Sequence, residues 1–111
     1  MKILRLSILF IFFNSAHAAN FETGNTIYSG LEDWKRDSSA NVIRASTSYG
    51  YVIGVHDALQ EILLCSPPNI TKGQIVDVVI NYLRENPQTR HLPADVLINQ
   101  ALVRFYACNK K

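Results

Sequence analysis

The chain has 111 residues, 48% hydrophobic and 18% charged, with 11 Lys and Arg against 9 Asp and Glu. That makes one small domain at most and excludes a multidomain enzyme. Apolar content is too high for a disordered chain, 5 Gly and 4 Pro are too few for a fibrous one, and a net charge of +2 supplies no basic face for nucleic acid.

Lys2 and Arg5 precede an eight-residue apolar run at 6–13, and Ala16-His17-Ala18 then offers the small-x-small pattern that signal peptidase cuts. Residues 1–18 read as a secretory signal and residues 19–111 as the mature domain. The apolar run falls well short of the ~20 residues that a membrane-crossing helix needs, so no span is expected once the signal is removed. Losing Lys2 and Arg5 leaves a formally neutral domain, with no pull toward DNA, RNA or an anionic membrane. The expected partner is a protein or a small ligand.

Export brings an oxidising compartment, where thiols pair and stay paired. Cys65 and Cys108 are the only cysteines, so one pairing is possible. A metal pair would need further ligands, but His56 and His91 are the only histidines beyond the signal, and there is no Cys-x-x-Cys. The expectation is a Cys65–Cys108 disulfide, no metal and no cofactor. Closing so long a loop stabilises a fold by up to ~4 kcal/mol in the chain-entropy picture.

Beyond the signal, apolar residues recur at three and four rather than at two, which predicts helices. The first spans about 26–36, with Ile27, Leu31 and Trp34 on one stripe and Trp34 as a core anchor. The second and longest runs from about 40 to 64. Its broad apolar face is Ala45, Tyr49, Val52, Val55, Leu59, Ile62 and Leu63. Ser46, Gly50, Gly54 and Ala58 form a strip of small residues on it. Each interior glycine costs about 1 kcal/mol relative to alanine, so the strip implies either close packing of another backbone or a kink near 49–54. Pro67 and Pro68 are expected to end this helix.

Thr71-Lys72-Gly73-Gln74 has the form of a capping box and opens a third helix, whose buried stripe is Ile75, Val76, Val79, Tyr82 and Leu83. Asn86-Pro87 stops it. Pro93 suits the first position of a fourth helix, which buries Leu97, Ile98, Ala101, Leu102 and Phe105. Short connections make the last three helices antiparallel neighbours, so Cys65 and Cys108 fall at one pole. The fold class is all-α, a small four-helix domain with one disulfide. At ~37 Å the second helix outreaches partners of about 20 Å, and its N-terminal half needs cover from the first helix or a second subunit.

Catalytic chemistry is not expected. The cysteines are consumed by each other, and His56 and Asp57, adjacent on a helix, point about 100° apart and form no dyad. His56 reads as a satisfied, partly buried side chain, and His91 as structural or as a contact. Asn69-Ile70-Thr71 has the form of a glycosylation acceptor, but Thr71 has a capping role and the segment reads as a turn.

Four segments together carry a resemblance: Gly50-Tyr51-Val52-Ile53-Gly54-Val55-His56-Asp57-Ala58-Leu59, then Cys65-Ser66-Pro67-Pro68, then Thr71-Lys72-Gly73-Gln74, and finally a tail with Asn86-Pro87, Arg90-His91-Leu92-Pro93 and Cys108. Over about residues 49–108 the chain resembles the Rap/Tai family, periplasmic immunity proteins of bacteria that use type VI secretion. The resemblance implies an exported, non-enzymatic helical protein that binds and blocks a peptidoglycan amidase, a papain-like cysteine hydrolase injected by sister cells. It implies a homodimer in which a helix docks on the toxin and a loop enters its groove. Partner contacts are then expected on the outer side of the third helix and on two loops, Ser66 to Ile70 with Pro67, Pro68 and Asn69, and Asn86 to His91 with Gln88, Thr89, Arg90 and His91. Relatives carry further cysteines near the first helix and before the Gly-Tyr run, where this chain has Trp34 and Ser48, so its first helix is expected to be held without a covalent tie. The competing expectation is a small periplasmic acid-stress chaperone, which would expose apolar surface near pH 2 to 3.

Overall fold

The computed structural model describes residues 21–36 and 41–109. The expected secretory signal, residues 1–18, lies outside the described residues. Four helices follow in order: α1 Gly24–Lys35, α2 Val42–Leu59, α3 Lys72–Glu85 and α4 Ala94–Tyr106, with a single 3-10 turn, Pro87–Thr89, between the last two. The described residues form an all-α, four-helix domain closed by the Cys65–Cys108 disulfide, with Cα atoms 4.9 Å apart.

Helix α1 starts two residues earlier than the periodicity suggests, because Thr23 caps it. Thr23 Oγ1 accepts from the Thr26 amide while Thr26 Oγ1 accepts from the Thr23 amide, a reciprocal cap built with threonine where glutamine or glutamate is usual. The helix start rests on the loop before α4: the Gly24 amide donates to Leu92 O at 3.0 Å and the Asn25 amide to Arg90 O at 2.7 Å. A Cβ on Gly24 would lie 2.8 Å from Arg90 O, so glycine permits this approach.

Helix α2 is shorter than expected. It ends at Leu59, not near residue 64, and the two prolines have no part in stopping it. Leu59 O accepts from the amides of Ile62, Leu63 and Leu64, and Glu61 adopts a left-handed conformation at φ 66°. The chain then pairs with the tail: the Cys65 amide donates to Tyr106 O at 2.7 Å and the Cys108 amide to Leu63 O at 3.1 Å. This pairing turns Leu64 fully inward and leaves Ile62 at 70% and Leu63 at 47% exposure, not on a buried helix face. With 18 residues, α2 is ~27 Å long, so the expected overhang is smaller and α1 covers it.

That α1–α2 contact is close. Ser48, 4% exposed, sits against Gly30, where a Cβ would come within 2.7 Å of Arg44 O. Asp33, also 4% exposed, accepts from Arg44 Nε at 2.6 Å and from Arg36 at 3.4 Å. Trp34 is half-buried and packs at a tilt of 45° against Tyr49 with ring centroids 4.9 Å apart, so it clamps the helix pair rather than filling the centre. Lys35 pairs with Asp77 and Arg84 with Glu32, which ties α1 to α3.

Thr71 and Gln74 form the reciprocal cap that opens α3. Helix α4 begins at Ala94, with Pro93 at its N-cap rather than at its first turn. The centre is Ile27 and Leu31 of α1, Val52 of α2, the stripe from Ile75 to Leu83 on α3, and Leu97, Ile98, Ala101 and Leu102 on α4. Each such aliphatic side chain contributes about 1.5–3 kcal/mol on burial. Phe105, placed on the buried face by periodicity, is 60% exposed, and Tyr82 is half-buried.

Candidate functional site

The disulfide pole carries the most tightly specified irregular backbone in the domain. At its centre is Ser66, 9% exposed, between Cys65 and Pro67. Gln60, just past the end of α2, reaches across with its amide. Its Oε1 accepts from the Ser66 amide and its Nε2 donates to Ser66 O, both at 3.2 Å. His56, one helical turn earlier, places Nε2 3.0 Å from Ser66 Oγ and Nδ1 2.9 Å from Asp57 Oδ1.

The expectation that His56 and Asp57 cannot meet is therefore incorrect. Cβ directions diverge by about 100° on a helix, but the torsions of both side chains let ring and carboxylate converge. The result has the connectivity of a serine–histidine–aspartate triad. Its surroundings do not support acyl transfer at Ser66. The Ser66 amide is already committed to Gln60, and residue 67 is proline, which has no N–H, so neither backbone amide at the serine can stabilise an oxyanion. Asp57 is 71% exposed and is solvated rather than held in a preorganised site. The trio holds backbone in place, and the expectation of a satisfied, partly buried His56 stands.

Beyond this clamp Pro67, Pro68 and Asn69 are exposed before the chain enters α3. The Ile70 amide donates to Pro67 O at 3.1 Å and closes the turn. A groove of about 460 Å³ separates the turn from α3 and the tail, lined by Pro67, Asn69, Ile70, Gln74, Val78 and Tyr106 among others. Val78 also lines a smaller groove of about 200 Å³ with Asn81, Tyr82, Arg104 and Phe105. There Arg104 stacks over Tyr82 at 4.7 Å, and Tyr82 donates to Gln100 at 2.9 Å. The two grooves share Val78 and run between α3 and α4, carrying Tyr82 of α3 and Arg104, Phe105 and Tyr106 of α4. Tyrosine and arginine are the residue types that dominate protein–protein contact energies.

The second expected contact loop lies elsewhere. Gln88, Thr89, Arg90 and His91 follow the C-terminal end of α3, about 20 Å along that helix from Pro67–Asn69, so the two loops do not converge. Gln88 and His91 are exposed. Thr89 donates its hydroxyl to Asn86 O at 3.2 Å, and Arg90 is half-buried, stacked 4.2 Å over the Tyr28 ring. Arg90 braces α1, whereas Thr89 closes its own loop. Nearby, the Tyr28 hydroxyl and, secondarily, Arg84 hold the Glu32 carboxyl below its usual range. Sequence reasoning missed Gln60 and Arg104, took Ser66 as part of the contact loop rather than as its buried anchor, and placed Phe105 in the core. The signal for Gln60 was its position one turn after His56, but its partner is set by the chain reversal at Glu61.

Among the described residues no group of three or more His, Cys, Asp or Glu side chains is placed to hold a metal ion, and no helix is long and apolar enough to cross a membrane. No curated protein matches the chain. The family model for Rap1a immunity proteins matches residues 23–108, from the α1 cap to the second cysteine, and the chain belongs to that family.

Proposed function

We propose that this member of the Rap1a immunity proteins is a periplasmic inhibitor that binds and blocks a peptidoglycan amidase delivered by type VI secretion. Family membership carries the immunity role, and the amidase target follows from the Rap/Tai resemblance. The function asks for binding alone. In this reading residues 1–18 are the removed signal, and residues 19–111 act as the exported domain.

The loop with Pro67, Pro68 and Asn69 is the element offered to the amidase groove, supported by its exposure and its fixed base. The outer side of α3 with Tyr82, beside Arg104 and Phe105 of α4, extends that contact, and Gln88, Thr89, Arg90 and His91 contribute at the far end. A homodimer would use the exposed face of α2, where Ile43, Gly50, Gly54 and Ala58 leave four helical turns almost without charge.

The test mixes purified residues 19–111 with papain-like peptidoglycan amidases of type VI systems and follows peptidoglycan cleavage. The expected result is stoichiometric loss of one amidase's activity and a stable complex with it. Absence of both a complex and inhibition across such enzymes refutes the proposal.

A further inference from the structure

We propose that His56 and Gln60 are positioning residues that set the direction in which the loop with Pro67, Pro68 and Asn69 is presented. The inference rests on the reading of that loop as the inhibitory element. It goes beyond that reading because neither residue belongs to the loop.

Three independent anchors converge on two consecutive residues. The disulfide and the bond from the Cys65 amide to Tyr106 O fix Cys65 to the tail. The Gln60 side chain then satisfies both backbone polar groups of Ser66, and His56 engages the hydroxyl of the same residue. The His56 side chain is 12% exposed and Ser66 9%, so these bonds form largely out of water, where an unmade bond costs the desolvation of its groups. Pro67 and Pro68 follow with fixed φ, so the direction set at Ser66 passes stiffly into the exposed tip.

The disulfide alone cannot set that direction, because a single bridged residue leaves the next peptide free to rotate. A bidentate amide clamp on residue 66 removes this freedom. Rigid presentation matters for a plug, since a loop already ordered in its bound shape avoids the cost of ordering its side chains on docking. The pairing of His56 Nδ1 with Asp57 orients the ring toward the serine, and so places Asp57 behind the clamp.

The free protein tests the clamp without any partner. Isotope-labelled residues 19–111 carrying Gln60→Ala or His56→Ala are compared with wild type by amide order parameters at Asn69 and Ile70. The expected result is a fall at both residues toward the flexible range below about 0.6, with the helices unchanged and the disulfide intact. His56→Gln, which returns a polar group near the Nε2 position, should recover order. In the second arm, the amidase that wild type inhibits is titrated with Gln60→Ala, and inhibition should weaken about tenfold. Unchanged loop order in both alanine variants overturns the clamp, and unchanged inhibition by a disordered loop overturns its positioning role. If wild type inhibits no amidase, the functional reading fails while the order-parameter arm still decides the clamp.

Discussion

Gly30→Ala is the substitution that tests the α1–α2 contact most directly. In the middle of a helix this change normally stabilises, by about 1 kcal/mol, because alanine is the better helix former. Here the new methyl would sit 2.7 Å from Arg44 O, a backbone atom that no rotamer change can move, and would also press on buried Ser48. The helices must separate, and overpacking of this kind costs about 1–3 kcal/mol or somewhat more. Separation also strains the Asp33–Arg44 pair and the Trp34–Tyr49 contact on the same seam. The net expectation is a loss of about 1–2 kcal/mol, with each kcal/mol lowering Tm by about 4–8 °C in a domain of this size. Gly50→Ala is the internal control, since nothing within 4 Å meets a Cβ there and the helix-propensity gain should appear undiminished. Calorimetry and urea unfolding at low protein concentration give both values. If Gly30→Ala matches or exceeds wild type, as Gly50→Ala should, the reasoning about the seam is wrong.

Asp33→Ala removes a buried carboxylate from two arginines that are themselves half-exposed, so the expected loss is about 1–2 kcal/mol by urea unfolding, less than for a fully buried pair. The double variant Cys65→Ser with Cys108→Ser should lose up to about 4 kcal/mol, because the bridge joins residues 43 apart; an unchanged urea midpoint would contradict the loop-closure account. The Glu32 carboxyl is held down in the folded chain, chiefly by Tyr28, so its stabilisation is present above the ordinary value of 4.5 and lost as pH falls through the lowered one. Tyr28→Phe should therefore be less stable than wild type near neutrality, with the gap in urea midpoint closing between pH 5 and 3; a gap constant with pH would assign the hydroxyl another role.

Much of the fold was legible in the sequence because its signals are local. Thr71 with Gln74 and the Pro93 start delimited α3 and α4, and the lone cysteine pair together with antiparallel helices placed the disulfide at one pole. The end of α2 was not legible. No glycine or proline stands at residues 60–64, and the helix stops because Glu61 turns left-handed and residues 63–65 pair with 106–108, a contact between segments far apart in sequence. The same reversal brings Gln60 to Ser66, which hid the clamp. His56 and Asp57 were kept apart by an argument from Cβ directions that ignored side-chain torsions. Phe105 followed the apolar period of α4, but it faces the groove beside Tyr82 rather than the centre.

The covalent ring closed by Cys65 and Cys108 encloses α3 and α4 and leaves α1 and α2 outside it. The molecule thus has a stapled half and an unstapled half. Mild denaturant should peel the N-terminal hairpin first, since the Lys35–Asp77 and Glu32–Arg84 pairs, the backbone bonds from Gly24 and Asn25 and apolar contacts hold it to the rest, but no disulfide does. The stapled half would outlast that loss with its polar turn still attached, so damage to the domain proceeds in two stages rather than one.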